Sequence, residues 1–353
     1  MSHFSPKSLS LAVALTLVGC GGSDNTVVTS NNPTTAISAS NQQLVAAEVS
    51  SNALQFTGNT LGSITAAAIG VAAEPTNSVV TPDMRLIVVN IRELMHTKAQ
   101  PLTPQVVAVV VVNTESCFAG GTVKVSFDDK NANTDWDVNE TGTVVFSNCV
   151  MQTNGVVLNG AVKDEYLVDN PTTTTDRFTF TNLKASLNGI ASELVSGVVT
   201  YTETVTGSFQ NSTLQISDHY LTQALKVKVT QNSLSENFTL DEDVTISQSS
   251  PDLTKKSIRG SGSISSDNAN INGSVKFNIT TPIVVNRTTP VTASSGQMTI
   301  TGSGGTALYV TFGMPDTGSV TMQLTKDGVN VGTQKTVPVA TILASVTSAA
   351  AVN

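Results

Sequence analysis

The residues best equipped for chemistry lie in one acidic stretch, DDKNANTDWDVNE, from Asp128 to Glu140. Counted from Asp129, it places Asn131, Asn133, Asp135, Asp137 and Glu140 at positions 3, 5, 7, 9 and 12. Side-chain oxygens at alternate positions can wrap a hard cation such as Ca2+, in a structural rather than a catalytic role. The same residues also suit a solvated hairpin loop built on Asx-turns. Other constellations are sparse. Three histidines occur (His3, His96 and His219), and no Ser sits in a G-x-S-x-G elbow. Gly302-Ser303-Gly304-Gly305 lacks the Lys-Ser/Thr of a phosphate loop. The acidic groups Asp164-Glu165 and Asp241-Glu242-Asp243 suit glycoside chemistry, but solvated strand ends explain them equally well. The expectation is a non-catalytic protein, with a structural Ca2+ as its one possible cofactor.

The elements that would hold these residues are mostly strands. The 353 residues include 50 Thr and 46 Val, and only 18 basic and 26 acidic residues, for a net charge of −8. Thr and Val suit a pleated, half-buried sheet. A net-negative chain lacks the electrostatic footprint of a nucleic-acid binder. Period-two alternation is clearest from Val195 to Phe209, where odd positions carry Val195, Val199, Tyr201, Val205 and Phe209 and Thr fills the even ones. Leu221, Leu225, Val227 and Val229 repeat the pattern, as do Phe238, Leu240, Val244 and Ile246, and Ile271, Val275, Phe277 and Ile279. Such alternation marks an antiparallel sheet with one buried face. The run VVAVVVV (106–112) fits either a buried strand or a buried helix, and its β-branching favours strand. Asn-Gly recurs in LNGAV, LNGIA and INGSV at 158, 187 and 271. Alternation continues through Asn272-Gly273, which favours close approach of a neighbour there over a hairpin turn.

Residues 41–100 differ, with apolar residues at helical spacing (Leu44, Val45, Val49, Leu54, Leu61 and Ile64) and a second helix start at Thr81-Pro82. The expected fold is therefore mainly β with an α+β arrangement: N-terminal helices packed on a large, twisted antiparallel sheet formed by residues 101–353.

The N-terminus reads as an address. Lys7 precedes an apolar run, Leu9 to Val18, too short to span a bilayer. The sequence Leu17-Val18-Gly19-Cys20 resembles the bacterial lipobox. That resemblance implies cleavage after Gly19 and lipidation of Cys20, leaving a 334-residue chain without His3. Several acyl chains on one residue exceed what stable anchoring requires. Gly21, where Asp would signal retention in the inner membrane, implies the outer membrane. Residues 20–40 are rich in Gly, Ser, Thr and Asn and read as a flexible tether. With Cys20 acylated, Cys117 and Cys149 remain in a compartment that permits disulfides; a bridge is favoured over two free thiols.

The Asp129–Glu140 spacing resembles an EF-hand or dockerin-type calcium loop. It departs from that family at Thr134, where Gly makes the sharp turn, and in its flanks, which read as strands. The lipobox, the CFAGG…NC unit and SSGQMTITGSGG together resemble uncharacterised β-rich proteobacterial lipoproteins. The expected role is thus a lipid-anchored envelope protein with a structural, adhesive or partner-binding task. The alternative is a carrier of lipids or other amphiphiles in a curved sheet similar to the periplasmic lipoprotein-carrier half-barrels. The outer membrane is the one partner implied; any protein or amphiphile partner, and the face of the membrane occupied, stay open.

Overall fold

The computed structural model describes residues 33–53, Val88, Ile91, Arg92 and Met95, and 109–338 except 118, 132, 134, 151–156, 188–189, 232–233, 268–270, 287–291 and 314–318. Cys20 and the rest of the expected signal, His96 and the helix start at Thr81 lie outside the described residues.

One antiparallel sheet of fifteen strands dominates. In chain order these are β1 (Val109–Ser116), β2 (Thr122–Asp129), β3 (Thr141–Val150), β4 (Val157–Asn170), β5 (Thr173–Leu187), β6 (Ile190–Thr206), β7 (Gln215–Gln231) and β8 (Leu234–Ser249). They continue as β9 (Asp252–Ser266), β10 (Gly273–Asn286), β11 (Thr292–Thr301), β12 (Thr306–Phe312), β13 (Ser319–Lys326), β14 (Val329–Asn330) and β15 (Lys335–Pro338). Each strand from β1 to β14 pairs with its neighbour in sequence, and β15 joins β13. The ambiguous Val run thus contributes to an edge strand. β6 and β7 reach 17 residues each, about 55 Å if straight.

A meander of this kind has two ends. The entry end gathers the turns Cys117–Gly121, Gly302–Gly305 and Asp327–Gly328; the far end gathers 130–140, 171–172, 207–214 and 250–251. The alternating sequence places one face of the sheet in a single hydrophobic core.

The alternation slips where strands bulge. In β5, Phe178 and Phe180 are buried before Asn182 (φ 50°), and Leu183 and Ala185 after it. In β7, Tyr220 and Thr222 are buried before Ala224 (φ 46°), and Leu225, Val227 and Val229 after it. The expected odd-numbered apolar face from Val195 to Phe209 is therefore only partly correct. A register shift around Gly197 buries Leu194 rather than Val195, while Val205 and Phe209 are exposed. Similarly, Leu221 gives way to Tyr220 and Thr222 on the inner face.

Each of these bulges faces a glycine on the adjacent strand. A Cβ on Gly160 (φ +118°) would lie 2.3 Å from the Asn182 carbonyl oxygen, and one on Gly197 (φ +129°) 2.5 Å from the Leu225 Cα. Gly296 stands in the same way against Ile283; Gly260 also approaches Asp243 closely, but there the β8–β9 register is unbroken. Bulges opposite glycines bend strands and increase local twist.

Against the buried face lies α1 (Gln42–Ala53), resting on β9 and β12. Ser38 and Asn41 start it: Asn41 Oδ1 accepts the Ser38 backbone N–H at 2.7 Å, and its Nδ2 donates to the Ala36 carbonyl. Val45, Ala46 and Val49 are fully buried. Val88, Ile91, Arg92 and Met95 are also helical, and the three apolar ones are buried in the same core. Packing begins before α1, within the stretch expected to be tether. Thr34 and Thr35 donate backbone N–H groups to Ser274 O at 3.0 and 3.1 Å, Ser303 N–H donates to Thr35 O at 2.7 Å, and Ile37 is buried beside Gly302. Thr34 Oγ1 also fills the space where Gly273 has no side chain, but Asn272 (φ 38°) ends the β9–β10 connection and Gly273 opens β10, so the pair combines a turn with a close approach.

Candidate functional site

The inner face of β4–β8 carries a polar nest among apolar neighbours. Pairing sets Tyr166, Asp176, Tyr201 and Tyr220 side by side across four strands. A parallel row runs Asp164, Phe178, Val199, Thr222 and Glu242. Glu203 and Asp218 are paired one step toward the far end. Asp164, Asp176, Asp218 and Glu242 are all buried.

Arg92, from the helical segment, is the cation of this nest. Its Nε lies 3.2 Å from Asp176 Oδ2, and its Nη1 donates to Glu203 Oε2 at 2.8 Å. Its Nη2 also donates to Thr174 Oγ1. The guanidinium sits 5.6 Å from the Tyr201 ring centroid, a cation–π contact. Burial opposes its charge, but the Glu203 hydrogen bond and the Asp176 charge outweigh that, so its pKa rises. Tyr201 OH donates to Asp218 Oδ1 at 3.0 Å, and its ring lies 5.0 Å from that of Tyr220. Burial, then the Asp218 charge, raises the Tyr201 phenol far above its ordinary value.

Asp164 stands apart. Neither of its oxygens meets a donor in hydrogen-bonding geometry; the Glu165 backbone N–H gives weak support. Burial first, then the charge of Asp176, raises its pKa well above that of an ordinary carboxyl. The arrangement favours a neutral Asp164 near the Arg92–Asp176 contact. Chemically it retains a proton and an ion pair; among the described residues it includes no activated nucleophile.

The sequence-derived candidates lie elsewhere. Cys117 and Cys149 form a disulfide, Cα–Cα 5.4 Å, that fastens the end of β1 to β3 across β2. The Asp128–Glu140 segment is the β2–β3 connection at the far end, and its oxygens engage protein donors. Asp129 Oδ1 and Asn131 Oδ1 both accept the Asn133 N–H, at 3.2 and 3.1 Å, and Asn133 Oδ1 accepts the Asp135 N–H at 2.8 Å. Asn131 and Asn133 each donate Nδ2 to Asp137 Oδ2, at 2.8 and 2.6 Å. Glu140 takes the Lys130 and Asp137 N–H groups, one on each oxygen. These include the Asx-turns of the bland alternative. Among the described residues no three His, Cys, Asp or Glu side chains are grouped to hold a metal ion. Burial raises the Glu140 pKa, with Asp129 and Asp137 adding to it. The loop also delivers Trp136 inward, stacked on Tyr166 at 6.2 Å and edge-on to Phe127 at 5.6 Å.

His219 lies on the outer face, its Nε2 2.8 Å from Asp243 Oδ1, while its neighbour Asp218 points inward. The acidic groups divide in the same way. Asp164 and Glu242 are buried, so solvated strand ends do not account for them; Glu165 instead pairs outside with Lys163 and Arg177. The nest was legible in part. Asp176 falls in phase with Phe178 and Phe180, and Glu242 with Leu240 and Val244. An acid in phase with an apolar face is the signal. Arg92 carries no such mark.

Comparison with protein-family models, curated proteins and solved structures gives no significant match.

Proposed function

We propose that this chain is a lipid-anchored protein of the bacterial envelope, tethered to the outer membrane through Cys20, whose role is non-catalytic: a β-scaffold that holds a polar outer face toward a partner. The observation that carries this reading is the occupation of the sheet's buried face. Val45, Ala46 and Val49 of α1, with Val88, Ile91 and Met95, share one core with the inward side chains of the sheet. A carrier of amphiphiles would need that volume for its ligand. The carrier alternative keeps the large one-faced sheet, with its bulged strands, in its favour.

Native mass spectrometry of the intact protein separates the two. The expected spectrum carries the mass of the triacylated chain and nothing more. A stoichiometric amphiphile that survives delipidation would replace the scaffold reading with the carrier. Substituting Cys20→Ala should release the protein from membranes, and continued membrane association would contradict the anchor.

A further inference from the structure

The point where the chain joins the sheet decides which end of the molecule is fewer residues from the anchor. Residues 34–37 are fastened at the entry end by the Thr34 and Thr35 bonds to Ser274, the Ser303 bond to Thr35 and the burial of Ile37. Thr34 lies fourteen residues after Cys20, a span of at most about 50 Å even fully extended. The far end stands a further strand length away, in strands of up to 17 residues.

The two ends also differ in surface chemistry. At the entry end the β13–β14 hairpin exposes Val329 (69%) and Val331 (40%) beside Lys326. Lys184 and Lys226 are exposed on the same part of the sheet, and Lys335 donates to the Ala39 carbonyl, beside the docked segment. Its acids are Asp267 and Asp327 at the turns and the half-buried Glu115, Glu193 and Glu236 in the strand ends, with Glu193 paired opposite Lys184. The far end carries Asp128, Asp135, Asp137, Asp169 and Asp252 against Lys130 and Lys255. Lysines beside exposed apolar side chains suit the headgroup region of an anionic bilayer, whereas a cluster of carboxylates is repelled by it.

We propose that the entry end, with the Lys326–Gly332 hairpin foremost, lies against the lipid surface, and that the far end with its acidic loop points away. This rests on the anchor reading above, which supplies the lipid at Cys20. The far end exposes Phe209 (69%) at the β6–β7 turn, so the reverse orientation is the competing outcome.

The test uses the full lipidated chain on vesicles of phosphatidylethanolamine and phosphatidylglycerol that contain a headgroup-labelled acceptor lipid. Asp327→Cys and Asn211→Cys variants, at opposite ends and both exposed, are labelled with a donor dye, with the unsubstituted chain as the labelling background. Energy transfer at least twofold stronger from position 327 than from 211 is expected. Equal or reversed transfer on protein that floats with the vesicles overturns the orientation and leaves the anchor intact. Protein that does not float overturns the anchor, and the orientation with it.

Discussion

Among single residues, Asp164 makes the sharpest claim. Its carboxyl is buried without a good donor, and its pKa stands above the usual carboxyl value in the folded chain. A carboxyl whose folded pKa is raised contributes its full stability below the unfolded value, about 3.9, and loses it as pH climbs through the folded value. Replacing it by the neutral isostere removes that loss. Asp164→Asn should melt at a higher temperature than the parent at pH 7 and at the same temperature near pH 3. A lower midpoint at pH 7 would show that the ionised form is stabilised by a partner. Sequence reasoning came close here, because period two places Asp164 between Val162 and Tyr166. What it lacked was the strand partner: Asp176 becomes its neighbour only through the β4–β5 register.

Among elements, the bulged strands explain why faces assigned from sequence held for half a strand and then inverted. A bulge inserts one residue into a period of two, so every side chain beyond it changes face. In β7 the slip falls at Ala224, an ordinary residue with no turn signal. The glycine opposite is the better marker. Gly197→Val would place side-chain atoms on the backbone of β7 at a positive φ, and should cost about 2–5 kcal/mol in denaturant unfolding; a loss under 1 kcal/mol would mean that the bulge adjusts freely. The β2–β3 loop is an element of the opposite kind, legible in composition but undecided in role. Its Asp137 and Glu140 oxygens already accept protein donors. The melting midpoint should therefore move by less than about 1 °C on adding EDTA; a fall of several degrees would favour the calcium loop.

For the molecule as a whole, the antiparallel class and the long strands were readable from Thr and Val alternation. The strand count and the places of the bulges were not, because a bulge is set by a glycine on the neighbouring strand, outside its own stretch of sequence. The disulfide acts at this scale too. It joins positions 32 apart and fastens β1, the first strand of the meander, to β3. Closing a loop of that length stabilises by about 3–4 kcal/mol on the chain-entropy estimate. The Cys117→Ala/Cys149→Ala double variant should lose that much in urea unfolding. Hydrogen exchange should speed up most in β1, and uniform acceleration across the sheet would assign the bridge a global rather than an edge role.

The docked N-terminal segment has a counterpart in time. Nearly all of the meander is zipped between sequence neighbours, so each hairpin can form as soon as its second strand is made. Thr34 is different: its partner Ser274 lies 240 residues downstream. The earliest part of the described fold in sequence is thus among the last to find its place. Until β10 is made, residues 34–37 have nothing to dock on, and a chaperone that holds unfinished chains would find them waiting.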